Sequence, residues 1–269
     1  MPDWAIAGYL TGAFEILLPL VAATVVSARL RVSWRYFGYG ALVFFVFQIA
    51  TRVPITQLLQ VAVAPRLAVS PTALWLWLAF LALTAGLFEE LGRYVGYRVL
   101  LRNNPKTWDG AVMYGLGHGG LESILLIGLG TVIAVYALSS LAANGLQSAQ
   151  DAQQSAAAQQ LAAVTSQPIW VWLLGGWERV CALTIQVALS VIVLQVFLRG
   201  TLMWLGFALL AHVAVDGVTV AVPQLFADNR ATGALVTEAV LTVFAAIALW
   251  VIVRLRRTPA QAVLPDVQT

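Results

Sequence analysis

A chain of 269 residues that is 61% hydrophobic and 10% charged, with a mean hydropathy of +0.86, is too apolar for a soluble domain, whose charged fraction is about a quarter. The net charge of +3 comes almost wholly from arginines set between long unbroken apolar runs, which excludes a membrane β-barrel with its short alternating segments. No basic cluster interleaved with exposed aromatics points to nucleic acid. The composition predicts an all-α polytopic protein of the cell membrane, a bacterial plasma membrane, in a single domain over 1–269.

Windows of roughly 20 apolar residues predict seven spans, at about 4–27, 36–61, 71–101, 108–138, 169–198, 201–222 and 232–253. The N-terminal run lacks a basic leader and is too long for a signal peptide, so it reads as a retained first span. Pro54 and the pair Gly175-Gly176 are the expected kink positions. The single cysteine, Cys181, lies in an apolar run and reads as a small buried hydrophobe. The stretch 139–167 is an Ala/Gln/Ser tract whose only charge is Asp151, expected as a mobile external segment.

Orientation follows from the basic residues. Arg29, Arg31 and Arg35, then Arg98, Arg102 and Lys106, then Arg199, and finally Arg254, Arg256 and Arg257 fall on one side of a seven-span topology. Arg66 and Arg230 alone fall in the loops of the other. The positive-inside rule then predicts an N-terminus outside and a C-terminus in the cytoplasm.

Against this background the charged and imidazole groups within spans stand out, because each costs several kcal/mol in lipid unless paired or wetted. The third span carries Phe88-Glu89-Glu90-Leu91-Gly92-Arg93, the fourth Tyr114-Gly115-Leu116-Gly117-His118-Gly119-Gly120-Leu121-Glu122, and the sixth His212-Val213-Ala214-Val215-Asp216. Counting about 1.5 Å per residue from the arginine-rich ends brings Glu89, Glu90, His118 and His212 to one level, with Gln186 of the fifth span slightly beyond. Glu89 and Arg93, His118 and Glu122, and His212 and Asp216 are spaced i,i+4, so each pair is expected on one helix face, with Glu122 and Asp216 fixing the tautomers of the imidazoles. The glycines about His118 either leave room for water and substrate or form close helix contacts. Glu178 and Arg179 read as an interfacial pair, and Glu15 with Arg52 as a candidate pair between the first two spans.

At these residues the chain resembles the YhfC-type membrane proteins, a branch of the superfamily of CAAX prenyl proteases and bacteriocin-processing enzymes. The matching pieces are Glu89-Glu90-Leu-Gly-Arg93, Gly117-His118-Gly119-Gly120-Leu-Glu122, Glu178-Arg179 with Ala182 and Ser190, and His212-x-x-x-Asp216, over about 88–217. The resemblance implies an intramembrane protease in which a glutamate and two histidines activate water and stabilise the oxyanion. The chain departs from the broad superfamily pattern in three ways. Arg93 comes one residue early, Tyr114 replaces a phenylalanine, and Gln186 stands where YhfC-type chains often carry a histidine.

The reading that follows is an intramembrane endopeptidase acting on membrane-anchored peptides or proteins. Glu89 is expected as the base, Glu90 as the alternative, and His118 and His212 as groups that orient water or donate to the oxyanion. Arg93, Glu122, Asp216, Gln186 and Tyr114 support them. A metal-free glutamic mechanism is preferred and no cofactor is expected. Zinc held by His118, His212 and Glu89, with an open water position, is the alternative. The competing functions are a proton-coupled transporter or channel using the same groups, and a non-enzymatic scaffold or immunity protein.

Overall fold

The computed structural model describes residues 1–143, 162 and 168–256. Most of the 139–167 tract, with Asp151, and Arg257 at the C-terminal end lie outside the described residues. All regular structure among those described is helical, and seven helices are long and apolar enough to cross a membrane. They are α1 (Asp3–Leu30), α2 (Arg35–Leu67), α3 (Pro71–Leu100), α4 (Trp108–Ala142), α5 (Ile169–Arg199), α6 (Met203–Leu225) and α7 (Arg230–Leu255). The chain is a multi-pass membrane protein.

Local chemistry sets the helix ends. Ser70 and Thr107 cap α3 and α4 by accepting the backbone N–H groups of Ala73 at 3.2 Å and Gly110 at 3.1 Å, and Asn229 caps α7 through Thr232 at 3.1 Å. Pro71 follows its cap at the first helical position, where its missing N–H costs nothing. Gly200 ends α5 with φ of 67°, a left-handed turn that glycine adopts without strain. Three helices carry π-helical stretches, Phe45–Arg52 in α2, Gly96–Leu100 in α3 and Glu122–Gly128 in α4. The first of these ends just before Pro54, the expected kink position, where the ring breaks the regular hydrogen-bond ladder.

Helix α5 is the axis of the bundle, touching α1, α3, α4, α6 and α7. Its buried Val191, Val193 and Leu194 join Tyr97, Leu101 and Met113 in the core. The outer helices instead expose apolar side chains such as Leu58, Val61, Leu76 and Trp250, the surface a lipid-facing bundle presents. Interhelical hydrogen bonds fix the register: the Tyr97 hydroxyl to the Ser190 carbonyl at 3.1 Å, Ser123 to the Glu15 carbonyl at 2.6 Å, and the Trp108 indole to the Ile252 carbonyl at 2.8 Å.

The glycines of α4 act as close contacts. A Cβ at Gly117 would overlap the Phe37 carbonyl of α2, and one at Gly40 would overlap the Tyr114 carbonyl in return. Gly115 and Gly119 likewise lie against Val187 and Gln186 of α5, where a Cβ would come within 2.7 Å of each. These approaches press α4 between α2 and α5 and set the position of His118. Gly175, expected as a kink, lies inside the continuous helix α5, where its bare Cα leaves room for Glu15 of α1.

Candidate active site

Helix α3 supplies the acids and their counter-ion. Glu89, Glu90 and Arg93 are all buried, and Arg93 is fully sequestered. One turn of α-helix puts them on a single face. The Arg93 guanidinium binds Glu90 Oε1 through Nη1, lies 3.5 Å from Glu89 Oε2 through Nη2, and donates to Gln186 Oε1 of α5. Fork geometry suits this task, because three acceptors are served by one rigid planar group. Without it two carboxylates would lie buried side by side, at a cost of several kcal/mol.

The imidazoles arrive from two other helices. His118 of α4 is fully buried, its Nε2 3.0 Å from Glu89 Oε2, and the Phe44 ring packs edge-on against it with centroids 5.1 Å apart. His212 of α6 sets Nδ1 2.6 Å from Glu90 Oε1. A carboxylate oxygen only accepts, so Nδ1 carries the hydrogen and Nε2 points to the space near Glu89 Oε2, 3.8 Å away, and Asp216 Oδ2, 3.7 Å away.

Two amides complete the frame. Gln48 of α2 donates through Nε2 to Glu89 Oε1 at 2.6 Å. Gln186 donates through Nε2 to Glu89 Oε2 at 3.3 Å and to Glu122 Oε2 at 2.9 Å. Glu89 therefore receives donors on both oxygens from three helices besides its own. A cavity of about 320 Å³ opens on this frame, lined by Glu89, Gln48, Gln186, Glu122, His212 and Asp216. Glu90 does not line it; tied to Arg93 and His212, it sits behind the wall.

The structure thus gathers Glu89, Glu90, Arg93, His118, His212, Gln186, Glu122 and Asp216 in one cluster, of which Glu89, Gln186, Glu122, His212 and Asp216 line the cavity, and it corrects several expected pairings. Glu122 does not contact His118. It turns to Gln186 and to Arg179 Nη1 at 3.3 Å, because charged and amide donors from α5 are stronger partners for a carboxylate than a neutral ring. Asp216 stays beyond hydrogen-bond reach of His212. Arg179 is buried and bridges Glu122 and Glu178, the latter at 2.5 Å, so the expected interfacial pair is an arm of the internal network. Tyr114 packs on Tyr97 with centroids 4.8 Å apart, and among the described residues its buried hydroxyl has no hydrogen-bond partner. Arg52 does not meet Glu15. It bonds to Thr84, Gln48 and the Leu81 carbonyl. Gln48, which no sequence pattern singles out, and Arg52, expected as a partner of Glu15, also belong to the site. Their only signal was polarity inside an apolar run.

A seven-helix membrane protein with acids, imidazoles and a guanidinium converging on an internal cavity belongs to the class in which lipid-embedded polar groups carry function. The chain belongs to the YhfC intramembrane metalloprotease family, whose profile matches residues 14–241. It is 30% identical over 252 residues to the membrane protein YhfC of Bacillus subtilis (strain 168), covering 92% of this chain and 95% of that relative. No solved structure matches. The family's description speaks for metal dependence and lends no support to the metal-free preference drawn from the sequence.

Side chains present at the site do not fit an ion well. His118, His212 and Glu89 are the kinds of donor a catalytic zinc uses, but among the described residues no group of three His, Cys, Asp or Glu side chains is placed to hold a metal. The acid oxygen that both imidazoles face, Glu89 Oε2, already receives His118 Nε2 and Gln186 Nε2 and lies 3.5 Å from a guanidinium. A cation that close opposes the arrival of a second.

Proposed function

We propose that this chain is an intramembrane endopeptidase that hydrolyses membrane-associated peptides with side chains alone, Glu89 acting as the base. The observation that carries this reading is the cavity bordered by Glu89 and His212 while Glu90 is bound behind it by Arg93. Hydrolysis needs a water, a base and a donor for the oxyanion, and this arrangement supplies the last two at the edge of a space that can hold the first.

In the proposed reaction the Glu89 carboxylate takes a proton from a water in the cavity, and the water oxygen bonds to the scissile carbonyl carbon. His212, held by Glu90 at Nδ1, in its doubly protonated form donates a hydrogen bond from Nε2 to the developing oxyanion and keeps its proton. Collapse breaks the C–N bond, and the proton held by Glu89 passes to the leaving amine. His118, Gln186 and Gln48 position the Glu89 carboxylate, each by a hydrogen bond to one of its oxygens. Asp216 and Glu122 add negative charge near His212.

The same proposal takes the chain as one domain, with its N-terminus outside and its C-terminus in the cytoplasm, from the placement of arginines between spans. Its Glu-Glu and His-containing motifs support a place among the CAAX protease and bacteriocin-processing proteins. The test is purification of the full chain in lipid vesicles with candidate single-span substrates. Cleavage by the wild-type protein, absent from Glu89→Gln and His212→Ala, is the expected outcome. Ion flux through the vesicles abolished by the same changes, without cleavage, would instead support a transporter.

A further inference from the structure

Arg52 is a cation in a lipid-spanning helix whose charge the hydrolytic centre does not use. It closes the π-helical stretch of α2 and is partly exposed. Its guanidinium is held firmly on three sides. Nε donates to Thr84 Oγ1 at 3.2 Å, Nη1 to Gln48 Oε1 at 3.3 Å and Nη2 to the Leu81 carbonyl at 2.6 Å. Among the described residues no carboxylate lies within ion-pair distance of it. Three of its five N–H groups are engaged, which leaves one hydrogen on each terminal nitrogen.

Placement gives those hydrogens an address. Arg52 lines the same cavity of about 320 Å³ as Glu89 and His212, and it is joined to Glu89 through a single side chain, Gln48, whose Nε2 bonds to the acid while its Oε1 accepts from Arg52. A cation in a bilayer is costly unless it is paired; the three groups that bond to Arg52 are neutral, and the carboxylates nearest it, Glu89 and Asp216, face it across the cavity without direct contact. A guanidinium fork with a free hydrogen on each terminal nitrogen recognises a carboxylate in bidentate fashion.

We propose that Arg52 forms a carboxylate-binding subsite in this cavity, holding an acidic side chain or the free C-terminal carboxylate of a bound peptide one side chain away from Glu89. The inference rests on the endopeptidase reading for the identity of the ligand. It predicts cleavage at bonds close to an acidic residue or close to the chain terminus.

The test uses the full chain in lipid vesicles and short N-acetylated apolar peptides in matched forms, one pair differing by Glu against Gln and the other by a free against an amidated C-terminus. Binding is read as thermal stabilisation in the Glu89→Gln background, where turnover is removed, and cleavage is read in the wild-type background by mass spectrometry. Hydrogen bonds to a charged group are worth about 1.5 to 3 kcal/mol, so the carboxylate form should bind roughly tenfold to hundredfold more tightly than its amide partner. Arg52→Gln should bring that ratio to about one, and Arg52→Lys, which keeps the charge and loses the fork, should retain part of it. Whichever pair shows the preference identifies the source of the carboxylate. Equal binding of carboxylate and amide, or a ratio unchanged in Arg52→Gln, overturns the subsite. Carboxylate-dependent binding with no cleavage of any form keeps the subsite and removes the protease reading.

Discussion

Glu90 and His212, 122 residues apart in the chain, meet at 2.6 Å across the interface of α3 and α6, and Arg93 clasps the same carboxylate oxygen from behind. This relationship separates the two adjacent glutamates. Glu90 is committed to holding Arg93 and His212 in place, and Glu89 keeps a face on the cavity. Glu89→Gln should therefore lower turnover by roughly a hundredfold to ten-thousandfold, the range for loss of a general base, and should cost less stability than Glu90→Gln, because Arg93 lies 3.5 Å from Glu89 but binds Glu90 directly. Glu90→Gln should reduce both, since it leaves Arg93 and His212 without their carboxylate. Parallel measurement of melting temperature and cleavage rate for the two variants checks the assignment, and an active Glu89→Gln would reverse it.

Arg93 is the counter-ion on which both acids depend. Arg93→Met should destabilise the protein by about 3 to 5 kcal/mol, the usual consequence of removing one partner from a buried ion pair. Arg93→Lys should recover only part of this, because a point charge cannot serve Glu89, Glu90 and Gln186 together. Thermal unfolding in detergent, compared across the three proteins, measures both effects; equal stability of the lysine variant and the wild type would show that the fork is not required.

The contact of α4 with α2 predicts a glycine contrast. Gly117→Ala pushes a methyl group into the Phe37 carbonyl and should cost about 1 to 3 kcal/mol as an overpacking change, while displacing His118 next to it. Gly130→Ala meets nothing within 4 Å and should be neutral or stabilising by up to about 1 kcal/mol through helix propensity. Melting temperatures of the two variants decide whether the glycines serve packing.

How far the site could be read beforehand depends on how loudly each residue speaks in an apolar context. Seven apolar runs announce seven helices, and charged groups within them are costly enough to single out Glu89, Glu90, Arg93, His118 and His212. Gln48 and Arg52 were harder. Gln48 is uncharged, and its partner Glu89 lies 41 positions away, so no local spacing links them. Arg52 invited pairing with the nearest unmatched acid, Glu15, but Glu15 packs against Gly175 on α5 and Arg52 against α3. The spacing of His118 and Glu122 misled in another way. Shared helical face does not create a contact when α5 offers Glu122 a guanidinium and an amide.

Metal content separates the side-chain mechanism from the chemistry the family's description names. Protein purified without chelators should carry less than one equivalent of zinc by elemental analysis, and a strong zinc chelator should leave cleavage unchanged. Stoichiometric zinc that disappears in His118→Ala would contradict the side-chain mechanism and make the imidazoles ligands.

The most direct measurement of hydrolysis by Glu89 is a comparison of membrane proteins in cells expressing the wild-type chain or Glu89→Gln at equal levels, with new peptide termini identified by mass spectrometry. The account predicts termini within or beside membrane spans that arise with the wild-type chain and vanish with Glu89→Gln. The same termini in both, or none in either while both proteins are folded and inserted, would contradict it.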